Sequence, residues 1–132
     1  MKYILSLIFL STFALSSQIN WIRTYEEAQQ ISSKLNKPML LFMNRKGCGS
    51  CQYMKENVFT DKEIIDFIDK RYVAVSLIIK RNDAPKLFKT NKTPVFHFVN
   101  ADGEKIYQTL FGGKTAPFFL KLLKKTLQED SK

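Results

Sequence analysis

The sequence has few residues that bind metals. It holds two cysteines and one histidine among 132 residues, whereas a structural zinc site takes four ligands, chiefly cysteine and histidine. The chain also lacks an internal repeat and a low-complexity linker. A length of 132 residues with 45% hydrophobic content is enough for one compact core. We therefore expect a single domain without a zinc centre.

No apolar run reaches the roughly 20 residues that a membrane-spanning helix needs. The longest candidate covers residues 3–15, directly after Lys2. One positive charge, a short apolar segment and small residues at Ala14 and Ser16 are typical of a secretory signal peptide. No cysteine follows the apolar stretch, which argues against a lipoprotein anchor. We predict a signal peptide over residues 1–17, export, and one mature domain over residues 18–132.

Acidic residues are scarce, because 12 of them face 21 basic residues and the formal charge is +9. Such a balance favours acidic proteins, anionic lipid surfaces or nucleic acid as partners. The basic residues are scattered in short pairs such as Arg45-Lys46, and export argues against nucleic acid. The sequence therefore predicts a solvated basic surface, with acidic protein surfaces as candidate partners.

Hydrophobic patterns predict strands that alternate with helices. Capping boxes at Thr24 and Thr60 each place a Glu three residues later, which predicts helices that begin there. The continuous apolar run 39–43 predicts a central strand buried on both faces. Further predicted elements are a short strand or extended arm at 19–22, a helix after Cys48, a strand at 72–79, a short helix at 82–88, a hairpin from strands 94–99 and 104–110, and a helix at 115–127. The predicted fold class is α/β, with a central mixed sheet and helices on both faces.

The two cysteines, Cys48 and Cys51, sit three residues apart where the strand at 39–43 leads into a helix. This spacing allows a redox pair, because both side chains face the same way on the first helical turn. It also leaves open a purely structural disulfide, zinc with His97, and copper with Met43 or Met54. Redox chemistry is the reading that we favour, with no metal and no cofactor.

For redox work the two cysteines have separate roles. Cys48 lies at the helix N-terminus, where backbone N–H groups, Arg45 and Lys46 favour its thiolate, so it is the predicted nucleophile. Cys51, one turn inward, resolves the mixed disulfide. Gly49 and Ser50 are expected to modulate the thiolate and the disulfide ring.

A second signal is Thr93-Pro94, about 40 residues downstream at the start of a predicted strand. A cis peptide is plausible in such a turn. Because proline lacks a backbone donor, this edge is kept from pairing with the sheet, and the Thr93 backbone is left for a substrate strand.

These features, in order, resemble the thioredoxin superfamily over nearly the whole mature chain. Segments 51–61, 82–84 and 98–103 are similar to the C-terminal thioredoxin-like domain of the bacterial thiol:disulfide interchange proteins of the cell envelope. The resemblance implies a thioredoxin fold and a periplasmic protein that takes electrons from a membrane thiol donor and passes them to disulfide-containing envelope proteins. It also implies that Pro94 is cis and that Gly112 lies beside the cysteines and contacts substrate.

The sequence departs from that family at four positions. Gly47 stands where thioredoxins have Trp, and Ser50 where they have Pro, so substrate contacts are expected to differ. The buried acid of the superfamily falls on Phe42, and a second acidic position of the interchange-protein domain falls on Lys55. We expect Lys55 to lower the pKa of the Cys51 thiol by its charge, while water or Glu56 accepts the proton.

Three functions remain open from the sequence: a reductase of envelope disulfides, an oxidase or isomerase, and an adaptor module in which the cysteines hold copper or a structural disulfide. The other notable residues have core interpretations. His97 is predicted to be a core or edge histidine. Tyr53 and Met54 are predicted to pack against the sheet, and Phe111, Phe118 and Phe119 to form core under the last helix, although Phe111 also neighbours the substrate region.

Overall fold

The computed structural model describes residues 18–132, so the predicted signal peptide lies outside the described residues. Helices and strands alternate along this part of the chain. They are α1 (Tyr25–Leu35), β1 (Met39–Asn44), α2 (Gly49–Tyr53) with a π-helical turn (Met54–Val58), α3 (Lys62–Arg71), β2 (Val73–Ile78), a 3₁₀ turn (Lys86–Phe88), β3 (Val95–Val99), β4 (Leu110–Phe111) and α4 (Ala116–Asp130). Within residues 18–132, no helix is both long and apolar enough to span a membrane.

The four strands form one mixed sheet in the order β2-β1-β3-β4. β1 pairs in parallel with β2 and antiparallel with β3, and β3 pairs antiparallel with β4. All six residues of β1 are buried, as the apolar run predicted for a central strand. The predicted α/β class with a mixed sheet is thus confirmed. Of the short strand or extended arm predicted at 19–22, the strand alternative is wrong, because Ile22 pairs as a single parallel bridge to Val75 and forms no strand.

The sheet separates two hydrophobic cores, because successive side chains of a strand point to opposite faces. On one face, Phe42 and Phe96 pack with side chains from α2, α3 and α4, and Cys51 belongs to this cluster. On the other, Leu41 and Val95 pack with side chains from α1 and the 3₁₀ turn. We call these the α2–α4 face and the α1 face.

Helix α1 begins as its capping box predicts, but it has a second cap from far along the chain. The Thr24 hydroxyl accepts a hydrogen bond from the Glu27 N–H at 3.3 Å. The Asp83 carboxylate accepts from the N–H groups of Tyr25 at 2.7 Å and Glu26 at 2.9 Å. Asp83 therefore caps α1 rather than a helix of its own, and the predicted helix at 82–88 shrinks to the three-residue 3₁₀ turn.

Two other boundaries differ from the predictions. Asp61, not Thr60, caps α3, because its carboxylate accepts from the Ile64 N–H at 3.2 Å, while the Thr60 hydroxyl donates to the Glu56 carbonyl at 2.8 Å. The second strand of the predicted hairpin is reduced to β4, with one further bridge between Val99 and Lys105.

Candidate redox site

The site begins where β1 ends, at a buried asparagine that ties the two parallel strands together. The Asn44 side-chain amide donates to the Ser76 hydroxyl at 3.0 Å and to the carbonyls of Phe42 at 3.1 Å and Leu77 at 3.3 Å. Buried amides with such partners hold a single geometry. The loop that leads to Cys48 therefore starts from a fixed point. Asn44 was not among the predicted site residues, although a polar residue at the end of an apolar strand could have indicated it.

Gly47 turns the chain into α2 with a φ of +76°, a left-handed conformation that favours glycine. A side chain at this position would meet no atom within 4 Å, so the backbone conformation rather than a lack of space accounts for the glycine. Glycine thus stands where the resemblance to thioredoxins implies tryptophan, and it places no side chain next to Cys48.

Cys48 and Cys51 form a disulfide, with their Cα atoms 5.2 Å apart. Cys48 is the N-cap residue of α2, and its sulfur accepts a hydrogen bond from the Cys51 N–H at 3.2 Å. Cys48 is half-buried, whereas Cys51 is only 1% exposed. Cys48 is therefore the more accessible of the two cysteines.

A recess of about 320 Å³ opens beside the disulfide. Its lining includes both cysteines, Gly49 and three cations: Arg45, Lys46 and Lys55. The structure thus brings together most of the residues predicted at the site. Ser50 does not line the recess, because it faces the loop after β4.

The predicted proline turn lies at the same end of the sheet as the cysteines. Met43 of β1 pairs with Val95 of β3, so the carboxyl end of β1 meets the amino end of β3. The Thr93–Pro94 peptide bond is cis. The Pro94 carbonyl accepts a hydrogen bond from the Gly112 N–H at 2.9 Å. The Thr93 hydroxyl is buried without a hydrogen-bond partner among residues 18–132.

The loop after β4 contacts the cysteine helix through Gly113, whereas Gly112 bonds to Pro94. A Cβ at Gly113 would lie 3.7 Å from the Ser50 Cβ and 3.9 Å from a ring carbon of Tyr53. The next residue, Lys114, donates its backbone N–H to the Met54 sulfur at 3.3 Å. Sequence reasoning missed Gly113, although it stands directly beside the glycine that the resemblance indicated.

A family model described as a thioredoxin-like domain matches residues 25–127. This match extends from the start of α1 through most of α4 and includes both cysteines. The chain belongs to this thioredoxin-like family. A protein from Archaeoglobus fulgidus described as uncharacterized is 28% identical over 92 residues, which are 70% of this chain and 71% of that protein.

Solved structures show the same fold as this thioredoxin-like domain. A putative disulphide-isomerase from Bacteroides thetaiotaomicron has a TM-score of 0.72 at 23% identity and covers 86% of this chain and 97% of its own. A structure described as DsbH oxidoreductase has a TM-score of 0.68 at 20% identity, with 86% and 88% covered. The C-terminal domain of DsbD from Neisseria meningitidis has a TM-score of 0.62 at 20% identity, with 76% and 91% covered.

In this thioredoxin-like domain an aromatic cluster surrounds Phe42, at the position where the resemblance to thioredoxins implies a buried acid. Phe42 is 1% exposed. Its ring stacks on Phe96 at 5.4 Å between centroids, meets Phe59 edge-on at 5.1 Å and approaches Trp21 at 5.6 Å. Edge-on and offset ring pairs of this kind add packing energy beyond the buried area. Phe42 therefore stabilises the core beneath the disulfide and offers no proton acceptor to Cys51.

His97 and Met43, candidate metal ligands from the sequence, lie away from the disulfide in the thioredoxin-like domain. His97 and Met43 pack on the α1 face, opposite Cys51, so neither joins the cysteines. The His97 Nδ1 lies 3.0 Å from the Thr109 hydroxyl. The pKa of His97 is lowered to about 4 by burial and by the nearby charge of Lys105. His97 is thus a neutral core histidine near pH 7.

Three aromatic residues that were predicted to pack in the core or on the sheet are exposed. Tyr53 is 42% exposed beside Gly113, while Met54 is buried as predicted. Phe118 is 50% exposed on α4, whereas Phe119 is buried in the core. Phe111, at the end of β4, is 55% exposed, so it borders the site rather than filling the core.

Proposed function

We propose that this chain is an exported thiol:disulfide oxidoreductase that reduces disulfides of cell-envelope proteins. The observation that carries the proposal is the asymmetry of the Cys48–Cys51 disulfide at the start of α2. Cys48 is accessible, and its sulfur accepts a hydrogen bond from the Cys51 N–H, whereas Cys51 is buried. A hydrogen bond to sulfur favours the thiolate, which is the form that attacks disulfides.

In the forward reaction, the Cys48 thiolate attacks one sulfur of the substrate disulfide. The substrate S–S bond breaks, a mixed disulfide forms, and the leaving sulfur takes a proton from solvent. The deprotonated Cys51 sulfur then attacks the Cys48 sulfur and releases the second substrate thiol. The protein ends with the disulfide described above, and a dithiol donor must return two electrons and two protons. In the cell this donor would be a membrane thiol protein.

Substrate binding would use the Thr93–Pro94 turn and the loop after β4. Thr93, before the cis Pro94, is free to pair its backbone with an extended substrate strand, and the hydrogen bond between Gly112 and Pro94 holds the neighbouring loop. Lys55 supplies positive charge on the helical turn after Cys51 and would favour the Cys51 thiolate. Lys46 would act in the same way on Cys48, while Gly49 and Ser50 modulate the ring.

Export is part of the proposal. Residues 1–17 would be a signal peptide and residues 18–132 the mature periplasmic domain. The sequence pattern of residues 1–17 supports this, as does the structural similarity to DsbH and to the DsbD C-terminal domain. Expression of the full chain in a bacterium, followed by fractionation, should place a shortened protein in the periplasm. A full-length product in the cytoplasm would contradict this part of the proposal.

A disulfide oxidase or isomerase is the second candidate, since the basic residues around Cys48 stabilise a thiolate and so make the disulfide more oxidising. The reduction potential distinguishes the two. A value near −270 mV, as in thioredoxin, supports a reductant, and one near −120 mV supports an oxidant. An adaptor or copper module is less supported, because Met43 lies on the opposite face of the sheet from Cys51 and the Met54 sulfur already accepts a hydrogen bond.

The decisive experiment is to trap the mixed disulfide. Cys51→Ser should accumulate covalent, reductant-sensitive complexes with envelope proteins, because the resolving sulfur is missing. Cys48→Ser is the matched control and should trap none. If Cys51→Ser captures no partner and wild type reduces a model disulfide no faster than Cys48→Ser does, the proposed function is wrong. Tight Cu(I) binding by the same wild type would then favour the copper module.

A further inference from the structure

The charged side chains that line the recess beside the disulfide are all basic. Arg45, Lys46 and Lys55 line it, and no acidic side chain does. None of the three cations makes an ion pair or a side-chain hydrogen bond with another of the residues 18–132. Three unpaired cations around one recess repel one another and attract anions.

The acid nearest in sequence does not neutralise this recess. Glu56 follows Lys55, but its carboxylate accepts a hydrogen bond from the Gln52 amide at 2.6 Å on the exposed surface and is not part of the lining. The positive potential therefore reaches the Cys48 sulfur, which lines the same recess.

The opposite flank of the cysteine helix carries aromatic rings and two lysines that already have partners. The Lys92 ammonium lies 5.5 Å from the centroid of the Phe111 ring, and the Lys114 ammonium donates to the carbonyls of Phe111 and Gly112. Tyr53 stands half-exposed against Gly113, and the exposed ring of Phe111 lies just before the Gly112 turn. A chain segment that crosses Cys48 would thus meet three unpaired cations on one side, and on the other side aromatic rings beside the partnered Lys92 and Lys114. The recess is shallow and open, and its three cations are exposed. It suits an extended polypeptide better than an enclosed small molecule.

We propose that Arg45, Lys46 and Lys55 select polypeptide substrates that carry Asp or Glu next to the reactive disulfide. This inference rests on the proposed function and names the substrate class for the same site. Each exposed ion pair changes affinity by roughly 1.5-fold to fivefold. Three such cations therefore predict about a tenfold preference for an acidic substrate over a neutral one of the same shape.

The test uses two disulfide-linked peptides that differ only in the residues beside the cysteines, Asp and Glu in one and Asn and Gln in the other. Dithiothreitol supplies electrons, and kcat/KM is measured for each peptide with wild type and with Arg45→Gln/Lys46→Gln/Lys55→Gln. The readout is the ratio of the acidic to the neutral peptide. Any direct effect of the substitutions on the cysteines changes both peptides and cancels in this ratio.

The matched control is Arg23→Gln/Lys34→Gln/Lys86→Gln. It removes the same charge from exposed positions on or beside elements that pack on the α1 face. We expect a ratio of about ten for wild type and for this control, and a ratio near one for the recess variant. If the control falls as far as the recess variant, net charge and not the recess sets the preference.

Salt provides an independent check. The Debye length falls from about 10 Å at 0.1 M to about 3 Å at 1 M ionic strength, so the wild-type ratio should approach one in 1 M salt. A wild-type ratio of one at 0.05 M salt, with both peptides reduced efficiently, would overturn this inference and leave the proposed function intact. Failure to reduce either peptide would count against the proposed function itself. If the triple variant does not fold, the three single variants should each lower the ratio about twofold.

Discussion

Removal of the Asp83 carboxylate should destabilise the domain, although Asp83 is exposed and lies 57 residues from the helix turn that it caps. Helix α1 has N–H groups on Tyr25, Glu26 and Glu27 with no partner inside the helix. Thr24 satisfies the last of them, and Asp83 satisfies the first two with its two oxygens. Loss of an N-cap costs about 0.5–2 kcal/mol, and a charged acceptor lies toward the upper end. We expect Asp83→Ala to lower the free energy of unfolding by about 2 kcal/mol, and Asp83→Asn, which retains one acceptor oxygen, by about 1 kcal/mol.

The pH dependence tests the same cap by a different route. Burial acts to raise the pKa of Asp83, but the N–H groups of Glu26 and Tyr25 outweigh it and the pKa is lowered. Because the folded-state pKa lies below the unfolded value of about 3.9, the stabilisation is complete above that pH and is lost as pH falls through the folded-state value. The gap between wild type and Asp83→Asn should therefore close in acid.

The assay is urea unfolding followed by far-ultraviolet circular dichroism at pH 7 and at pH 2.5. Asp102→Asn is the control, because Asp102 is exposed and its carboxylate accepts no hydrogen bond within residues 18–132. It should change stability by less than about 0.5 kcal/mol. A gap below about 0.5 kcal/mol at pH 7 for Asp83→Ala, or a gap for Asp83→Asn that persists unchanged at pH 2.5, would refute the reasoning.

Three further predictions follow from the core and the site. Phe42→Ala should lower the free energy of unfolding in urea by about 3–5 kcal/mol, because it opens a cavity among stacked rings. Ile78→Ala, at a half-exposed position, should lower it far less. Equal losses for the two variants would contradict the packing argument. Wild type should lose about 3 kcal/mol of stability between pH 7 and pH 4 that His97→Leu does not lose. Unfolded His97 takes up a proton near pH 6.5, whereas the folded residue does so only near its pKa of about 4. Identical pH profiles would exclude His97 as the cause. Lys55→Met should move the rate-versus-pH profile of the resolving step about half a pH unit higher at low salt. Lys34→Met is the control and should not move it. An unchanged profile for Lys55→Met would contradict the role assigned to Lys55.

Local signals predicted the elements that carry the site. The apolar run of β1 and the Thr24 capping box specify their structures within a few residues, so strand and helix were predictable from the sequence. The cysteine spacing likewise predicted a pair on the first turn of α2, in which Cys48 is half-buried and Cys51 is buried.

Long-range contacts account for most of the errors. Asn82 and Asp83 look like a helix start, but Asp83 is drawn to α1 by two N–H groups that no local pattern reveals. Gly112 and Gly113 are equivalent in sequence, and only the tertiary approach of Ser50 and Tyr53 separates their roles. Tyr53 and Met54 follow Cys51 on the same helix and were both predicted to pack against the sheet, but only Met54 is buried.

Trp21 is the single tryptophan of the chain, and its ring lies 5.0 Å from Phe59 and 5.6 Å from Phe42, centroid to centroid, in the core that contains Cys51. The tryptophan fluorophore thus packs against the same core cluster as the buried cysteine. Its emission can follow the oxidised and reduced protein in real time without a label, and substitution of Tyr53 or Phe111 would leave this optical signal in place.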